Sequence, residues 1–561
     1  VTSRPWLSHY DQNVPPSLEY PQRSLLEILK DAVRERPEHP GVMFKGATLS
    51  YRELDRLSDF LAAALAADGV RRGDRVALLL PNCPQFLIAQ FGIWKAGGVV
   101  LPLNPIYTER EIEGPLVDTG AVAILTLTRF YDRVKHVQPQ TKLRSVMATS
   151  IKEYLPPLLS LLFTLFREKK EGHRIRLQPG DRWFQDVLGA GSSQQVPHVP
   201  LSGDDPAVIL SSGGTTGTPK GVIGCHRAYV QAGTQLRVWI RSLCDAWTDR
   251  ILLPLPLFHV YANVGVQSMA LVGRNPLVLV PNPRDIDDLL ATIRKTRPAF
   301  FTAVPTLFQA LLAHRDVRSG RASFGSIKLS FSGAAALMAE TRRQFEELTG
   351  GRIIEGYSLT EGMMACLVNP VRGTAKTGSI GMPLPDVDVM IVDTEDPSRV
   401  LDTNQVGELL MRAPQLMTEY WHNPDETAIT LRHAADGSTW LHTGDLGYLD
   451  DDGYVFLVDR KKDMIKTSGY QVWPREIEEV LTAHPSVAEV GVAGVPDTFK
   501  GEVIKAWIVP RSGTTPTEDE LRAYCRAQLA PYKVPASIEF RGELPKTMVG
   551  KVLRRALRET S

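Results

Sequence analysis

The chain has 561 residues, 43% of them hydrophobic and 23% charged, which is the balance of a folded globular protein and excludes a disordered one. Its 64 Lys and Arg nearly cancel its 63 Asp and Glu, so the net charge of +1 gives no global basic field to recruit nucleic acid. Five scattered cysteines, Cys83, Cys225, Cys244, Cys366 and Cys525, form no CxxC or Cys/His cluster, which argues against a disulfide framework or structural zinc and fits a reducing, cytoplasmic setting.

The opening run, VTSRPWLSHYDQNVPP, lacks the apolar core of a signal peptide. From about residue 50 to 340, strand-like and helix-like runs alternate. Ser50 and Glu53 form a capping box ahead of the amphipathic run Leu54, Leu57, Leu61 and Leu65. RVALLL (75–80), VVLPLN (99–104), AVAILT (121–126), AVIL (207–210), PLVLV (276–280), AFFTAV (299–304) and IKLSFSG (327–333) read as buried strands. Helices are predicted over 84–95, 226–240, 285–296 and 305–314. This alternation implies mainly parallel, doubly wound sheets in two α/β subdomains. Over 378–458, short strands and Gly/Pro/Asp turns suggest a β-barrel-like subdomain. Past 460 a basic loop leads into a ~100-residue α+β module, the size of a small domain. The predicted organisation is therefore a large domain, 1–460, and a small one, 461–561.

The most apolar stretch, YLPPLLSLLFTLF (154–166), is too short to cross a bilayer, which takes ~20 residues. Arg167, Glu168, Lys169 and Lys170 follow it. Two readings stand: a buried or interface-packed helix, or a peripheral membrane foot at 154–170 with basic anchors.

The strand AVIL runs into Ser211-Ser212-Gly213-Gly214-Thr215-Thr216-Gly217-Thr218-Pro219-Lys220-Gly221. Glycines let backbone N–H groups close around phosphate oxygens, hydroxyls add donors and Lys220 adds charge. It is not a Walker A loop, because Lys220 follows Pro219 and precedes Gly221. This string resembles the phosphate loop of the adenylate-forming superfamily of acyl-CoA synthetases, luciferases and peptide-synthetase adenylation domains. Gly213 stands where the usual pattern has Ser, and Gly-Gly-Thr-Thr-Gly is similar to long-chain fatty acyl-CoA ligases. The resemblance runs from about 25 to 555, through LPLPLFHVYA (253–262), SGAAAL (332–337), EGYSLTE (355–361), the block 440–481 and LPKTMVGKVLRR (544–555).

The resemblance implies that ATP and a carboxylic acid give acyl-AMP and pyrophosphate, and that CoA then takes the acyl group as a thioester. AMP replaces an oxide leaving group, and cations and donors must hold an anion against a triphosphate. Ser212, Gly213, Gly214, Thr215, Thr216, Gly217 and Lys220 would bind phosphates. Gly333, Ala334, Ala335, Glu355, Gly356, Tyr357 and Ser358 would bind ATP and AMP, with Tyr357 stacked on adenine and the backbone of Gly333, Ala334 and Ala335 lining its other side. Thr360 would donate to the α-phosphate and Glu361 would ligate Mg²⁺. Asp445 would take both ribose hydroxyls, supported by Arg460. Lys462 would be the hinge of the small domain. Lys551 would drive adenylation, although a lysine in a basic tail with Lys546, Arg554 and Arg555 is ordinarily just solvated. Lys466, Ser468 and Gly469 would enter the site after rotation, along the CoA path.

His259 would gate an acyl pocket of Tyr261, Val264, Gly265, Ser332 and Met363, with Gly265 and Gly333 leaving room. Asn263 is the obvious partner for a ring hydroxyl. The implied function is a fatty acid–CoA ligase of lipid metabolism. An aryl-acid ligase of the 4-coumarate type and a fatty acyl-AMP ligase loading a carrier protein are the alternatives. The expected partners are the acid, ATP and CoA, without nucleic acid, and a homodimer stays open.

Overall fold

The computed structural model describes residues 4–212, 219–467, 470–497, 501–546 and 552–559. The capping box forms as read: Glu53 N–H donates to Ser50 Oγ at 3.2 Å and Ser50 N–H to Glu53 Oε2 at 2.8 Å, opening the helix Tyr51–Ala67. The predicted apolar runs become the strands Arg75–Leu79, Val99–Pro102, Ala123–Leu127 and Pro206–Ser212. Together with Ser145–Thr149 they make the parallel centre of an eight-stranded sheet. Nearly every residue of these strands is buried, which is why they read as continuous apolar runs rather than alternating ones.

A second sheet holds fourteen strands among the described residues. Its parallel half carries Ile251–Leu253, Leu277–Leu279, Phe300–Ala303 and Leu329–Ser332. The strand Arg352–Leu359 joins the halves. Its first residues run parallel to Leu329–Ser332, and from Gly356 on it pairs antiparallel with Met364–Val368. Gly356, where the pairing changes, lets the Phe331 ring pack against the backbone, because a Cβ there would meet that ring at 2.3 Å. The short-strand region of 378–458 is continuous with this sheet through Ser379–Pro383 and Val455–Arg460, so its barrel-like character is that of a curled extension.

The two sheets are stitched directly. Asn82, just past Arg75–Leu79, donates to Leu253 O at 3.1 Å and Leu255 O at 2.7 Å, and accepts from Leu257 N–H at 2.8 Å. Helix Pro84–Lys95 is buried along its whole length between the layers, and its polar side chains are partnered: Gln85 by Thr149 and Ser150, Gln90 by Asn263, Lys95 by Asp55.

Val455–Arg460 still belongs to the second sheet, whereas Ile465–Thr467 is the first strand of a third. That third sheet, with the helices Pro474–Thr482 and Glu518–Gln528, has its own core around Ile465, Ile477, Leu481, Ile504 and Leu521.

The stretch 154–170 departs from the buried reading. A helix forms at Pro157–Phe166, and none of its residues is buried. All five cysteines are free and buried, and burial pushes the Cys83 and Cys366 thiols up to about 12.

Candidate active site

Parallel strands deliver their carboxyl ends to one edge, and in open α/β sheets that edge is where ligands bind. Pro206–Ser212 ends there on buried Ser212, ahead of the phosphate loop. In the second sheet Leu329–Ser332 ends on Ser332, whose buried hydroxyl has no hydrogen-bond partner. Arg352–Leu359 runs on into Thr360 and Glu361, both half-buried. Gly213, Gly214, Thr215, Thr216 and Gly217 lie outside the described residues, as do Ser468, Gly469 and Lys551.

The turn after Ser332 is held open by Glu355. Its carboxylate accepts Leu337 N–H at 3.0 Å and pairs with Arg342, while burial pushes its acidity towards the neutral form. Glu355 therefore shapes this turn from behind. Ala334 sits at φ +72°, where a non-glycine residue is strained, and Ala334 and Ala335 are exposed. Such a strained, open turn presents backbone rather than side chain.

Tyr357, buried on the same strand, donates its hydroxyl to Asp445 Oδ2. Arg460 Nε lies 3.0 Å from Asp445 Oδ1. The two groups come from neighbouring strands, Thr439–Leu449 and Val455–Arg460, with Asp445 directly opposite Arg460. Each carboxylate oxygen keeps a lone pair, so a vicinal diol can still bridge the two.

Glu361 is clamped by a neighbour that sequence reasoning did not single out. Tyr420 Oη donates to Glu361 Oε1 at 2.7 Å, and Met417 N–H donates to the Glu361 carbonyl at 2.9 Å. Lys220 lies over the Tyr420 ring, 5.1 Å from its centre, and pairs with Glu426. The base of the phosphate loop and the candidate metal ligand thus share one phenol ring. A Tyr inside MTEYWHNP carries no local pattern; only the pairing of Glu419–Tyr420 with Lys220–Cys225 brings it in.

His259 follows the turn that Asn82 anchors. Desolvation pushes its imidazole down to about 4, so it is neutral at pH 7, and Nδ1 accepts Tyr261 N–H at 3.3 Å. Tyr261, buried, donates to the Phe331 carbonyl at 3.1 Å.

Two expectations about open space are corrected. A Cβ on Gly265 would meet Met364 Sδ at 2.2 Å, and one on Gly333 would meet the Tyr261 ring at 2.9 Å. The glycines make room for those side chains, not for empty volume. Met363 similarly fills the space over Gly224, where an added Cβ would meet its Cε at 1.9 Å. Met363 and Met364 stand at φ +48° and +115°, so two flexible side chains ride on a strained turn directly after Glu361. Asn263 is not free either. It is fully buried, donates to Leu257 O at 2.6 Å and Gln90 Oε1 at 3.1 Å, and accepts Tyr229 Oη at 2.6 Å.

Comparison with known proteins decides the family. The AMP-binding enzyme model matches residues 29–421, and the AMP-binding enzyme C-terminal domain model matches 476–551. The chain belongs to the AMP-binding enzyme family. It is 36% identical to a long-chain-fatty-acid–CoA ligase of Bacillus subtilis, over 100% of this chain and 98% of that protein. It is 33% identical to 4-coumarate–CoA ligase 2 of Oryza sativa, over 91% of this chain and 88% of that one. ATP-bound MatB from Rhodopseudomonas palustris matches with a TM-score of 0.82 and 27% identity, over 96% of this chain and 98% of that chain.

In this AMP-binding enzyme the segment between the second and third sheets is pinned from both sides. Asp459 Oδ2 accepts Arg475 N–H at 2.8 Å. Arg554 reaches Asp459 at 3.2 Å, Asp463 at 2.9 Å and Glu478 at 2.7 Å. Arg554 is thus held by ion pairs rather than solvated, and Lys546 pairs with Glu489. Lys462 lies in the short turn Lys461–Asp463 between these pairs. Lys466 is exposed on Ile465–Thr467, its N–H donating to Glu502 at 2.8 Å. Glu361 offers a hard carboxylate oxygen, the donor that Mg²⁺ takes alongside phosphates and water. Among the described residues the one cluster of three possible metal ligands is Asp287, His314 and Asp316.

Proposed function

We propose that this chain activates a fatty acid with ATP and passes it to CoA, releasing AMP and pyrophosphate. The observation that carries the reading is the Tyr357–Asp445–Arg460 cluster together with the Tyr420 hydroxyl, which ties Glu361 of the second sheet to the strand pair of the first sheet that carries Lys220. In this reading Asp445 holds the ribose, the backbone of Gly333, Ala334 and Ala335 lies along adenine with Tyr357 opposite, and Ser358 and Thr360 face the phosphates. Mg²⁺ supplies charge neutralisation when bound, and Glu361 is the residue that would hold it. Lys551 meets the charge crowding at the α-phosphate. The domain boundary falls between 460 and 461, and Lys462 turns the small domain so that Lys466, Ser468 and Gly469 replace Lys551. CoA rather than a carrier protein is the acceptor. The enzyme acts in the cytoplasm at a membrane surface, as a monomer or a homodimer.

The acid class follows from Asn263, whose amide is taken up by Leu257, Gln90 and Tyr229. Asn263 itself therefore cannot anchor a ring hydroxyl, whereas Met363 and Met364 can give way to an alkyl chain. Each buried CH₂ contributes ~0.8 kcal/mol, so kcat/KM should climb with chain length until the tunnel ends. The test is acyl-CoA formation across short to long acids and 4-coumarate. A maximum at 4-coumarate, or no rise with chain length, would overturn the fatty-acid assignment. Met364→Ala should extend the range towards bulkier acids and leave the KM for ATP unchanged.

Two further results are expected. Tyr420→Phe keeps the ring over Lys220 and deletes only the bond to Glu361. One hydrogen bond to a charged group contributes about 1.5–3 kcal/mol, so kcat/KM for MgATP should drop roughly tenfold to a hundredfold. Unchanged MgATP kinetics would remove Tyr420 from the site. Lys462→Pro fixes φ near −65° at the turn. Adenylation should persist while transfer to CoA collapses; wild-type rates in both steps would place the hinge elsewhere.

A further inference from the structure

The helix Pro157–Phe166 is inside out. Its inner face is Ser160, Phe163 and Thr164, spaced as neighbours on one side of a helix. Thr164 donates to Ser160 O at 2.9 Å and accepts Lys152 Nζ at 3.2 Å, and Phe163 packs edge-on against His173. The outer face is apolar: Leu158, Leu161, Leu165 and Phe166 are 67%, 55%, 65% and 71% exposed, with Leu159 and Leu162 beside them. Ten residues with this inverted pattern cannot be explained by the fold's own core, and patches of this kind on soluble proteins mark contact surfaces.

What covers the patch is indicated by the residues that follow. Arg167, Lys169, Lys170, Arg174 and Arg176 outnumber Glu168 and Glu171, and Glu168 is buried and paired with Lys152. Lys169, Lys170, Arg174 and Arg176 are exposed. An apolar face rimmed by cations complements a bilayer surface bearing anionic headgroups. The helix spans about 15 Å, half of a bilayer's hydrocarbon core, so it can lie in the interface but not cross it. Among the described residues no helix is long and apolar enough to cross a membrane.

The position adds a reason. The helix follows the carboxyl end of Ser145–Thr149, which is parallel to Pro206–Ser212 and four strand steps away in the same sheet. At about 4.8 Å per step the carboxyl end of Ser145–Thr149 lies roughly 19 Å from that of Pro206–Ser212. Pro156, at the start of the helix, also touches the neighbourhood of Gly46 and Lys295, which belong to the second sheet's layer.

We infer that the Pro157–Phe166 helix and the basic residues after it dock the protein on an anionic lipid surface, with the catalytic edge facing the bilayer. It rests on the proposed function only for its purpose, that of drawing fatty acid from the bilayer; the docking itself is independent of catalysis.

The experiment is flotation of the full chain with phosphatidylcholine vesicles, with and without phosphatidylglycerol, alongside acyl-CoA formation from a short, water-soluble acid and the sedimentation mass. The wild type should float with the anionic vesicles at low salt. Leu158→Ser, Leu161→Ser and Leu165→Ser together should lower the bound fraction roughly tenfold or more while activity on the soluble acid stays unchanged. Lys169→Glu with Lys170→Glu, both on exposed positions, should abolish the preference for anionic vesicles and serves as a second variant should the serines disturb folding. The inference is overturned if the wild type never floats, if both variants float like it, or if the serine variant turns a dimer into a monomer, which would make the helix a contact between copies. Floating protein that makes no acyl-CoA would fail the proposed function and leave the docking standing.

Discussion

Lys551→Ala is expected to lose roughly a hundredfold to a thousandfold in acyl-AMP formation, the cost of removing one preorganised donor from a charged transition state. The reasoning starts from electrostatics. In the first half-reaction a carboxylate approaches an α-phosphate that is already anionic, and the barrier is dominated by like charge. A lysine aimed at the oxygens where charge accumulates acts on the transition state more than on bound ATP. kcat should therefore fall while the KM for ATP stays close to that of the wild type. The second half-reaction needs no such cation, because the thiol attacks an acyl-AMP that already has its leaving group. Supplied acyl-AMP should be converted to thioester at nearly the wild-type rate. Pyrophosphate exchange and single-turnover thioester formation measure the two steps separately. Equal losses in both would mean that Lys551 holds the small domain together rather than acting on adenylation.

The parts of this chain that were legible in its sequence are those whose physics is local. Strands buried on both faces, such as Ala123–Leu127, read as apolar runs, and the Ser50–Glu53 capping box announced its helix. The candidate site was legible where a contiguous string carries it: Glu361 in EGYSLTE, Asp445 in the block from 440. What escaped is what only pairing creates. Tyr420 reaches Glu361 because Glu419–Tyr420 pairs with Lys220–Cys225, some 200 residues away in sequence, as the distance from 220 to 420 requires. Arg554 looked like one more cation of a basic tail, yet it gathers Asp459, Asp463 and Glu478 around the turn that holds Lys462. Gly265 looked like space, but what a glycine omits can be filled by any neighbour, here Met364. Pattern alone also could not choose between a core helix and a surface one for Pro157–Phe166. Its hydrophobicity is high all round, and it is the contacts of Thr164 with Lys152 and of Phe163 with His173 that reveal which side faces inward.

Asp445→Ala should be the most damaging change among the described residues of the nucleotide site, because it acts on binding and on stability together. The carboxylate is 4% exposed and takes the Tyr357 hydroxyl on one oxygen and Arg460 on the other. Removing one partner of a buried ion pair leaves a charge without compensation, which costs about 3–5 kcal/mol; Arg460 keeps some solvent contact, so the lower end applies. That should appear as a lower urea midpoint in the absence of ATP. The ligand loses two charge-assisted hydrogen bonds to its ribose hydroxyls, at about 1.5–3 kcal/mol each, so the KM for ATP should rise a hundredfold or more. Asp445→Asn separates the two effects. The amide keeps the shape and one acceptor for Tyr357, so part of the stability should return, but it can no longer accept both hydroxyls or neutralise Arg460. ATP titrations and urea unfolding of the two variants give the comparison. If Asp445→Asn binds ATP like the wild type, the carboxylate serves only to hold Tyr357 and Arg460 in place, and the ribose must be sought elsewhere along this edge.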